Sequence, residues 1–379
     1  MQKIFEPLKI RGKILPNRFF AQAMEANDGE NRGQPSEHTV SRYVELAKGN
    51  WGAVQIEATS ITETSLARIN GMIINRRNLD SIKRLVENFR KHNDSSCLLI
   101  QITHGGERSG PFSEIVTLTP GKSGPRYLSA GEIEEIKNRF IQGALLAEEA
   151  GIDGIDFKMC HGYLGGEMLR PSNTRDDKWG GSFENRTRFL KEAIGEIKSA
   201  LRNKDFLLGG RFSMFEGIRG GCGTADPGEI VEDISEMLDV VRTMDEIGMD
   251  FVNVSAGIPA LTAVITRPTK TSKYLALHHL RYTKAVKDLI KKENRTLKVI
   301  GSAYSTHMEE APAVMEEMLS KDYVDACGFG RQIFADPLTP KKIAAGEKVN
   351  WCLLCSGCSK LMAAQKKDGC IVYNDNYKQ

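Results

Sequence analysis

The sequence predicts an α/β protein, a (β/α)8 barrel of the TIM type with a short C-terminal cysteine-rich extension. Short β-rich runs alternate with long amphipathic segments along the 379 residues. This alternation is typical of a parallel sheet with helical crossovers, and eight such units close most economically as a barrel. A group of four cysteines follows the last predicted helix and forms no part of that pattern. We therefore expect a barrel over residues 1–345 and an extension over residues 346–379.

The eight strands and the best-defined helices can be placed in order. The strands are predicted at residues 18–23, 53–58, 98–103, 154–159, 207–212, 251–255, 298–301 and 324–328. A helix is predicted from Ser129, which forms a capping box with Glu132, to Gly151, which ends it. A second apolar series at helical spacing begins at Ile230 and ends before Gly248. In barrels of this type the chemistry lies in the loops that follow the strands.

Four long loops interrupt the regular plan, at residues 105–129, 165–184, 215–227 and 256–274. Long loops at the catalytic face of a barrel commonly form lids or substrate walls. We expect these loops to shape the substrate site, although no residue in them indicates which substrate is bound.

Composition excludes several classes of function. The formal net charge is +3, and acidic residues are interspersed with basic ones, so neither a nucleic acid nor a membrane surface is indicated as partner. The N-terminal residues carry charges where a signal peptide needs an apolar core. A membrane-spanning helix needs about 18 consecutive apolar residues, and no apolar run in the sequence approaches that length. We expect a cytoplasmic enzyme that acts on a small molecule and forms a homo-oligomer.

The cysteines near the C-terminus have the spacing of ligands. Cys352, Cys355 and Cys358 form a Cys-x2-Cys-x2-Cys run, and Cys370 follows shortly after. Four thiolates spaced in this way can hold a 4Fe-4S cluster, which would indicate electron transfer. A structural zinc ion also takes four cysteines, although zinc sites more often use two separated Cys-x2-Cys pairs. Spacing favours the cluster and leaves zinc open.

A specific family resemblance begins after the fourth predicted strand. Residues 158–164 read KMCHGYL, and the following loop contains NTRDDKWGGSFENR. Further matching segments are FEPLKIRGKILPNRF near the N-terminus, QITHGG at strand three, GRFS at strand five, VNVSAG at strand six and GFGRQIFADP at strand eight. Together they make the chain resemble the old yellow enzyme family of FMN-dependent barrel oxidoreductases, and the resemblance covers essentially the whole chain.

The resemblance implies an FMN site. The FMN phosphate would be held by the loops after strands seven and eight, and Arg211 would lie near N1 of the flavin, where a cation stabilises the reduced ring. The amide of Gln101 suits the pyrimidine edge of the ring. The implied cofactor-binding residues are Ala23, Met24, Glu25, Ala58, Gln101, Arg211, Gly301, Ser302, Ala303, Gly330 and Arg331. Glu25 departs from the family, which usually has Thr or Cys there.

The resemblance also implies catalytic roles. Hydride transfer from flavin N5 to an activated alkene needs a donor at the carbonyl oxygen and an acid at the α-carbon. His161 resembles the carbonyl-binding residue of the family and Tyr163 its proton donor. Lys158 stands where many relatives have a second histidine or an uncharged residue. It could contact the oxygen directly or reshape the site for an anionic substrate.

Members of the family with a cysteine-rich tail resemble 2,4-dienoyl-CoA reductase and trimethylamine dehydrogenase, which bind a 4Fe-4S cluster beside the flavin. Those relatives continue into a nucleotide-binding region, but the GxGxxG fingerprint of such a region is absent from this sequence. Electrons would therefore come from NAD(P)H or from a separate donor protein.

These features favour an FMN-dependent reductase of the activated C=C bond in an α,β-unsaturated carbonyl compound. Three alternatives remain. The chain could be an amine dehydrogenase-like flavoprotein that exports electrons through the cluster. It could be a lyase with Lys158 as a Schiff-base nucleophile and zinc in the tail. It could also be a non-enzymatic electron-transfer subunit.

Overall fold

A computed structural model describes residues 2–30 and 32–378 of the chain. Eight parallel strands form a closed barrel. In chain order they are Phe19–Ala21, Ala53–Ser60, Cys97–Thr103, Gly154–Met159, Leu207–Ser213, Phe251–Ser255, Lys298–Gly301 and Ala326–Phe329, which we number barrel strands 1 to 8. Each strand pairs with its neighbours in the chain, and Cys327 of strand 8 lies opposite Phe19 of strand 1. The predicted (β/α)8 barrel is confirmed.

The predicted strands differ from the observed ones mainly at their ends. Strand 1 was predicted to reach residue 23 but stops at Ala21. The N–H group of Ala23 donates to the side-chain oxygen of Gln55 at 3.1 Å rather than to a neighbouring strand. Strand 8 begins at Ala326 and runs to Phe329, slightly later than predicted. Strand 1 ends early because a side chain inside the barrel accepts the backbone N–H of Ala23.

Helices follow every barrel strand and cover the outside of the barrel. The α-helices are Glu37–Lys48, Leu79–His92, Ala130–Glu149, Leu164–Leu169, Phe183–Ala200, Ser235–Glu246, Ala263–Thr266, Ala276–Lys292, Ala311–Ser320, Gln332–Ala335, Thr339–Ala345 and Gly357–Ala363. Short 3-10 helices are Lys3–Phe5, Arg76–Asn78, Gly106–Arg108, Lys270–Leu275, Tyr304–Glu310 and Asp375–Tyr377. Within the described part of the chain, none of these helices has both the length and the apolar character of a bilayer span.

The helix after strand 3 forms as its sequence predicts. The Ser129 side chain accepts the N–H of Glu132, while the Glu132 carboxylate accepts the N–H of Ser129 at 2.8 Å. These two bonds satisfy donors that a helix start otherwise leaves unpaired. After the helix, Gly151 has φ +81°, the left-handed conformation that favours glycine.

The helix after strand 5 is shorter than predicted. It begins at Ser235, and Ile230 lies outside it with half of its surface exposed. The carboxylate of Glu229 accepts the N–H groups of Ile230 and Val231, which holds this stretch in a turn. The apolar spacing therefore predicted too long a helix, because a local side-chain acceptor satisfies these backbone donors without helical hydrogen bonds.

An antiparallel hairpin closes the N-terminal end of the barrel. Strands Leu8–Ile10 and Lys13–Leu15 form the hairpin. Its apolar side chains pack in a separate core cluster with residues near the starts of the barrel strands, among them Phe20 and Phe251. Because the hairpin covers the N-terminal end of the barrel, the open end is the one at the C-terminal ends of the strands.

The cysteine-rich extension packs against that open end. The N–H of Asp368 donates to the carbonyl of Ala26 at 2.6 Å. The side chain of Asn27 donates to the carbonyls of Gln365 and Lys366 at 2.7 and 3.1 Å. The helix that precedes the extension ends at Ala345, the predicted domain boundary. The extension is thus tied to the loop after strand 1, beside the residues expected at the active site.

Candidate active site

A cavity of about 280 Å³ lies at the C-terminal ends of the barrel strands. Most of the residues singled out from the sequence line it. These are Ala23, Met24, Glu25, Gln101, Lys158, His161, Tyr163, Arg211, Ser302, Ala303, Gly330 and Arg331. Ala58 and Gly301 do not line it: Ala58 faces a separate small cavity, and Gly301 is covered by Thr283 and Tyr304. Residues from several strand ends therefore meet at one place, as the barrel geometry requires.

Arg211 projects from strand 5 into a polar network inside the barrel. Its Nη2 donates to the side-chain oxygens of Gln22 at 3.1 Å and Ser302 at 3.3 Å. Its Nε is buried without a hydrogen-bond partner among the described residues. A buried guanidinium N–H without a partner is costly. Arg211 lines a cavity that a ligand could fill.

The loops after strands 7 and 8 have the features of a phosphate cradle. Ala303 has φ +73° and directly precedes the helical turn Tyr304–Glu310. A Cβ at Gly330 would meet only the Met24 sulfur within 4 Å, so the backbone there is open to an approaching group. Arg331 donates through Nη2 to the Pro268 carbonyl at 2.6 Å, while its Nη1 is buried without a partner in residues 2–30 and 32–378.

Gln101 is oriented by Asp156, a residue that the sequence analysis did not single out. Its Nε2 donates to the Asp156 carboxylate at 3.2 Å. Gln55 and Asn253 donate to the same carboxylate at 2.6 and 3.0 Å. Burial raises the pKa of Asp156 despite these bonds. With its nitrogen fixed in this way, Gln101 presents its amide oxygen as an acceptor.

Glu25 and Tyr163 form a close polar pair in the cavity. The Tyr163 hydroxyl lies 2.8 Å from both carboxylate oxygens of Glu25 and donates to them. Burial alone would raise the pKa of Glu25, but Lys158 and Arg68 outweigh it, and the pKa lies below its usual value. Burial, and after it the charge of Glu25, raises the pKa of Tyr163 well above its usual range. Glu25 is thus ionised, and Tyr163 keeps its proton.

Lys158 lies beside this pair without a hydrogen-bonded partner in the described part of the chain. Its Nζ is 3.4 Å from the centre of the Tyr163 ring and 3.9 Å from Glu25 Oε1. Only 5% of its side chain is exposed, and burial lowers its pKa. A desolvated ammonium in this position attracts an oxygen that gains negative charge.

His161 occupies a strained turn directly after strand 4. Its φ is +62°, which is uncommon for a residue other than glycine. Its Nε2 lies 2.8 Å from the Ser255 hydroxyl. Burial, followed by the charges of Arg211 and Lys158, lowers the pKa of His161 well below its usual value. The imidazole is therefore neutral, with one N–H to offer.

Two of the four long loops contribute to the cavity. The loop after strand 3 supplies Glu107, Arg108 and Ser109, and the loop after strand 6 supplies Pro259, Ala260, Thr266 and Arg267. The loops predicted at residues 165–184 and 215–227 do not reach it. Arg68, Arg267 and Met362 also line the cavity, although the sequence analysis did not select them. They lie outside the strand-end motifs, so only the folded arrangement brings them in.

The four cysteines of the extension line a second, smaller cavity. Cys352, Cys355, Cys358 and Cys370 all face it, together with Arg331. Leu354 and Ser356, which lie between these cysteines, have φ of 54° and 60° and coil the chain tightly. Within residues 2–30 and 32–378, no group of three or more His, Cys, Asp or Glu side chains is placed to hold a single metal ion. The thiols thus surround a space without meeting at a point.

Comparison with known proteins identifies the family. Residues 3–350 match the model of the NADH:flavin oxidoreductase / NADH oxidase family. An NADPH dehydrogenase of Clostridium acetobutylicum is 31% identical over 345 residues, which are 88% of this chain and 92% of that protein. An NADH oxidase of Thermoanaerobacter brockii is 27% identical over 376 residues, 94% of this chain and 53% of that protein.

A solved structure shares the fold at lower identity. The complex of 2-naphthoyl-CoA reductase with 2-naphthoyl-CoA has a TM-score of 0.82 and 22% identity, covering 99% of this chain and 57% of that one. The chain thus spans little more than half the length of this protein and of the NADH oxidase. The family match extends from the N-terminal hairpin through the whole barrel. The chain belongs to the NADH:flavin oxidoreductase / NADH oxidase family, the old yellow enzyme family of FMN-dependent oxidoreductases.

Proposed function

We propose that this protein reduces the C=C bond of an α,β-unsaturated carbonyl compound with the use of FMN. One observation carries the proposal. A single cavity is lined by Arg211 and Arg331, each of which has a buried guanidinium donor without a partner among the described residues, and by Lys158, His161 and Tyr163. The first set suits an anionic cofactor, and the second suits a carbonyl oxygen and a proton transfer.

The residues around the cavity fit FMN. Ser302, Ala303 and Gly330 with Arg331 would hold the phosphate, Arg211 would lie near N1, and Gln101 would accept a hydrogen bond from the pyrimidine edge. Met24 and Ala23 would contact the ring. When bound, FMN supplies a hydride to the substrate alkene. The predicted contact of FMN with Ala58 has less support, because Ala58 lies outside the cavity lining.

Lys158 and His161 would bind the carbonyl oxygen of the substrate. Negative charge develops on that oxygen when hydride reaches the β-carbon. Lys158 has no hydrogen-bond acceptor among the described residues, and neutral His161 has one N–H to donate. The two groups would therefore act on the same oxygen, in place of the usual pair of uncharged donors.

Tyr163 would donate the proton to the α-carbon, and Glu25 would control when it does so. The Tyr163 proton is held by the Glu25 carboxylate until the hydroxyl turns towards the substrate. The tyrosinate formed by the transfer would lie next to Lys158, whose Nζ already faces the ring. Lys158 thus offsets the repulsion that Glu25 exerts on the tyrosinate.

We further propose a 4Fe-4S cluster in the extension, with Cys352, Cys355, Cys358 and Cys370 as ligands. The support is a donor set of four thiols around one small cavity. A polynuclear cluster needs such a space between its ligands, whereas zinc needs the four sulfurs within bonding distance of one point. When bound, the cluster passes electrons one at a time. The electrons would come from NAD(P)H or from a separate donor protein.

The alternatives have less support. An amine substrate is cationic at neutral pH, but six cationic side chains line the cavity against the two carboxylates of Glu25 and Glu107. A Schiff-base lyase would use Lys158 as nucleophile, and its lowered pKa is compatible with that role. Membership of a flavin oxidoreductase family nevertheless favours redox chemistry over a lyase reaction.

The proposal is tested with protein purified anaerobically. We expect FMN by absorption and release, and iron and sulfide by assay. The bound flavin is then reduced with light and mixed with 2-cyclohexenone or cinnamaldehyde in a stopped-flow instrument. Reoxidation that depends on the enone, with formation of the saturated product, supports the proposal.

Other outcomes distinguish the remaining functions. Reduction of the flavin by an amine, without reoxidation by enones, would favour the dehydrogenase alternative. A flavin that no small molecule oxidises, in a stable complex with another protein, would favour an electron-transfer subunit. The matched control is the saturated ketone, which should leave the reduced flavin unchanged.

A further inference from the structure

The substrate cavity contains more positive charge than the proposed cofactor can account for. Six cationic side chains line it: Arg68, Arg108, Lys158, Arg211, Arg267 and Arg331. Two of them, Arg211 and Arg331, are assigned to FMN in the proposed function. The remaining four stand against two carboxylates, those of Glu25 and Glu107.

Those carboxylates are already bound to other groups. Glu107 accepts a hydrogen bond from Lys122, which is outside the cavity lining. It also lies 3.7 Å from Arg170 and 3.9 Å from Arg108. Glu25 accepts the Tyr163 hydroxyl and lies 3.4 Å from Arg68 and 3.9 Å from Lys158. Neither carboxylate is therefore free to neutralise a further cation.

Arg267 is the cation that these contacts leave over. It forms no ion pair with any residue in 2–30 or 32–378, and its contacts are the Ser359 hydroxyl at 3.4 Å and the Met362 sulfur at 3.0 Å. Burial and the nearby charge of Arg68 lower its pKa. The Arg68 Nε is also buried without a partner in the described part of the chain. The buried carboxylate of Asp368 also acts on both guanidinium groups, but among the described residues it forms no ion pair with either and does not line the cavity. Two neighbouring guanidinium groups with unused donors in one cavity wall attract an anion that enters the cavity.

We propose that Arg267 and Arg68 form a binding subsite for a carboxylate group of the substrate. A carboxylate would accept from both guanidinium groups and remove the repulsion between them. The subsite lies where the loop after strand 6 meets the extension, since Met362 belongs to the extension and lines the same cavity. The inference rests on the proposed function and narrows it to unsaturated compounds with a free carboxylate.

The test compares carboxylates with matched neutral ligands on the full-length protein with bound FMN. Cinnamate and benzoate are titrated into oxidised protein, with cinnamamide and benzamide as uncharged counterparts, and binding is measured by calorimetry and by the flavin spectrum. We expect the carboxylates to bind more tightly than the amides. We expect Arg267→Met to weaken carboxylate binding by about 10- to 100-fold, with little change for the amides.

Three controls separate recognition from a structural effect. Arg267→Lys keeps the charge and should retain part of the preference for carboxylate. Arg202→Met removes an exposed arginine that is not among the residues lining the cavity and should change nothing. If Arg267→Met loses iron or FMN, the affinities of Arg267→Lys and the wild type are compared instead. We then expect Arg267→Lys to bind the carboxylates more weakly than the wild type does and to bind the amides equally well.

The outcomes distinguish this inference from the proposed function. Equal affinity for carboxylates and amides, or an unchanged carboxylate affinity in folded Arg267→Met, overturns the subsite, even if 2-cyclohexenone still reoxidises the flavin. Selective binding of carboxylates through Arg267, without reoxidation of the flavin by any enone or enoate, would overturn the proposed reaction and leave the subsite standing.

Discussion

The contact between Glu25 and Tyr163 is the feature that most distinguishes this site at the scale of single residues. The resemblance implied a tyrosine that gives its proton to the substrate, and it placed Glu25 among the cofactor-binding residues, without a part in that proton transfer. The structure shows the tyrosine hydroxyl bound to both oxygens of that acid at 2.8 Å. In the proposed reaction, proton release would therefore depend on how firmly an ionised carboxylate holds the hydroxyl.

Replacement of Tyr163 by Phe should slow reoxidation of the reduced flavin by an enone by about 100- to 10,000-fold, the usual contribution of a general acid. FMN should remain bound, because the Tyr163 hydroxyl contacts Glu25 and not the proposed phosphate cradle. Single-turnover stopped-flow absorption measures the rate. An unchanged rate with the same enone would rule out the acid role.

Replacement of Glu25 by Gln should lower the pKa of Tyr163. Burial and the Glu25 charge both raise that pKa, whereas Lys158 and Arg68 remain in the variant and favour the tyrosinate. The tyrosinate absorption near 295 nm should therefore develop at lower pH than in the wild type. The double variant Glu25→Gln, Tyr163→Phe is the control. If both variants titrate alike, the signal belongs to another tyrosine.

At the scale of single elements, strand 5 shows how close packing fixes the choice of residue. Gly209 and Gly210 are adjacent in the strand Leu207–Ser213 and point to opposite sides of the sheet. A Cβ at Gly209 would lie 2.0 Å from the ring of Phe251, which is fully buried. The three atoms nearest to a Cβ at Gly210 would be the ends of flexible methionine side chains, at 3.1 Å or more.

Gly209→Ala should therefore destabilise the fold by about 1–3 kcal/mol or more, the cost of overpacking a core. Gly210→Ala is the matched control and should change the free energy of unfolding by less than about 1 kcal/mol, since methionine adapts to small changes in volume. Urea unfolding followed by circular dichroism measures both. Equal losses of stability in the two variants would contradict the overpacking against Phe251. They would show that the cost comes from a backbone property that both glycines share.

Sequence reasoning succeeded for elements whose local signals agree with their packing. Each barrel strand was located within a few residues, and the Ser129–Glu132 capping box was found. Both kinds of element are determined by residues that are close together in the sequence. It failed at Ile230, where the apolar spacing continued but a carboxylate acceptor held the chain in a turn. Arg267 was missed for a different reason, since nothing near it in the chain marks a long-range contact with residues 359 and 362.

At the scale of the whole molecule, the extension forms part of the wall of the main cavity. Hydrogen bonds from Asn27 to the carbonyls of Gln365 and Lys366 tie it to the loop after strand 1. Met362 of the extension lines the main cavity. The cysteine spacing indicated the ligands of a cluster, but no sequence pattern indicated that the same segment would close the barrel.

Replacement of Cys358 by Ser should reduce the iron and sulfide content strongly and leave most of the FMN bound. The thiol is one of four that face the small cavity, while the proposed FMN residues belong to the barrel. Chemical assays of iron and sulfide and the flavin absorption measure both. Cys97→Ala, in a buried strand at the other end of the barrel, is the control and should keep its iron. A normal iron content in Cys358→Ser would contradict the assignment.

Arg331 lines both the main cavity and the cavity of the cysteines. The two proposed prosthetic groups would therefore share one guanidinium as a common neighbour. A change of charge on either side must then alter the midpoint potential of the other, by the same free energy in both directions. The two centres would not titrate as independent couples, and the donor that loads one of them would also set how readily the other gives up its electrons.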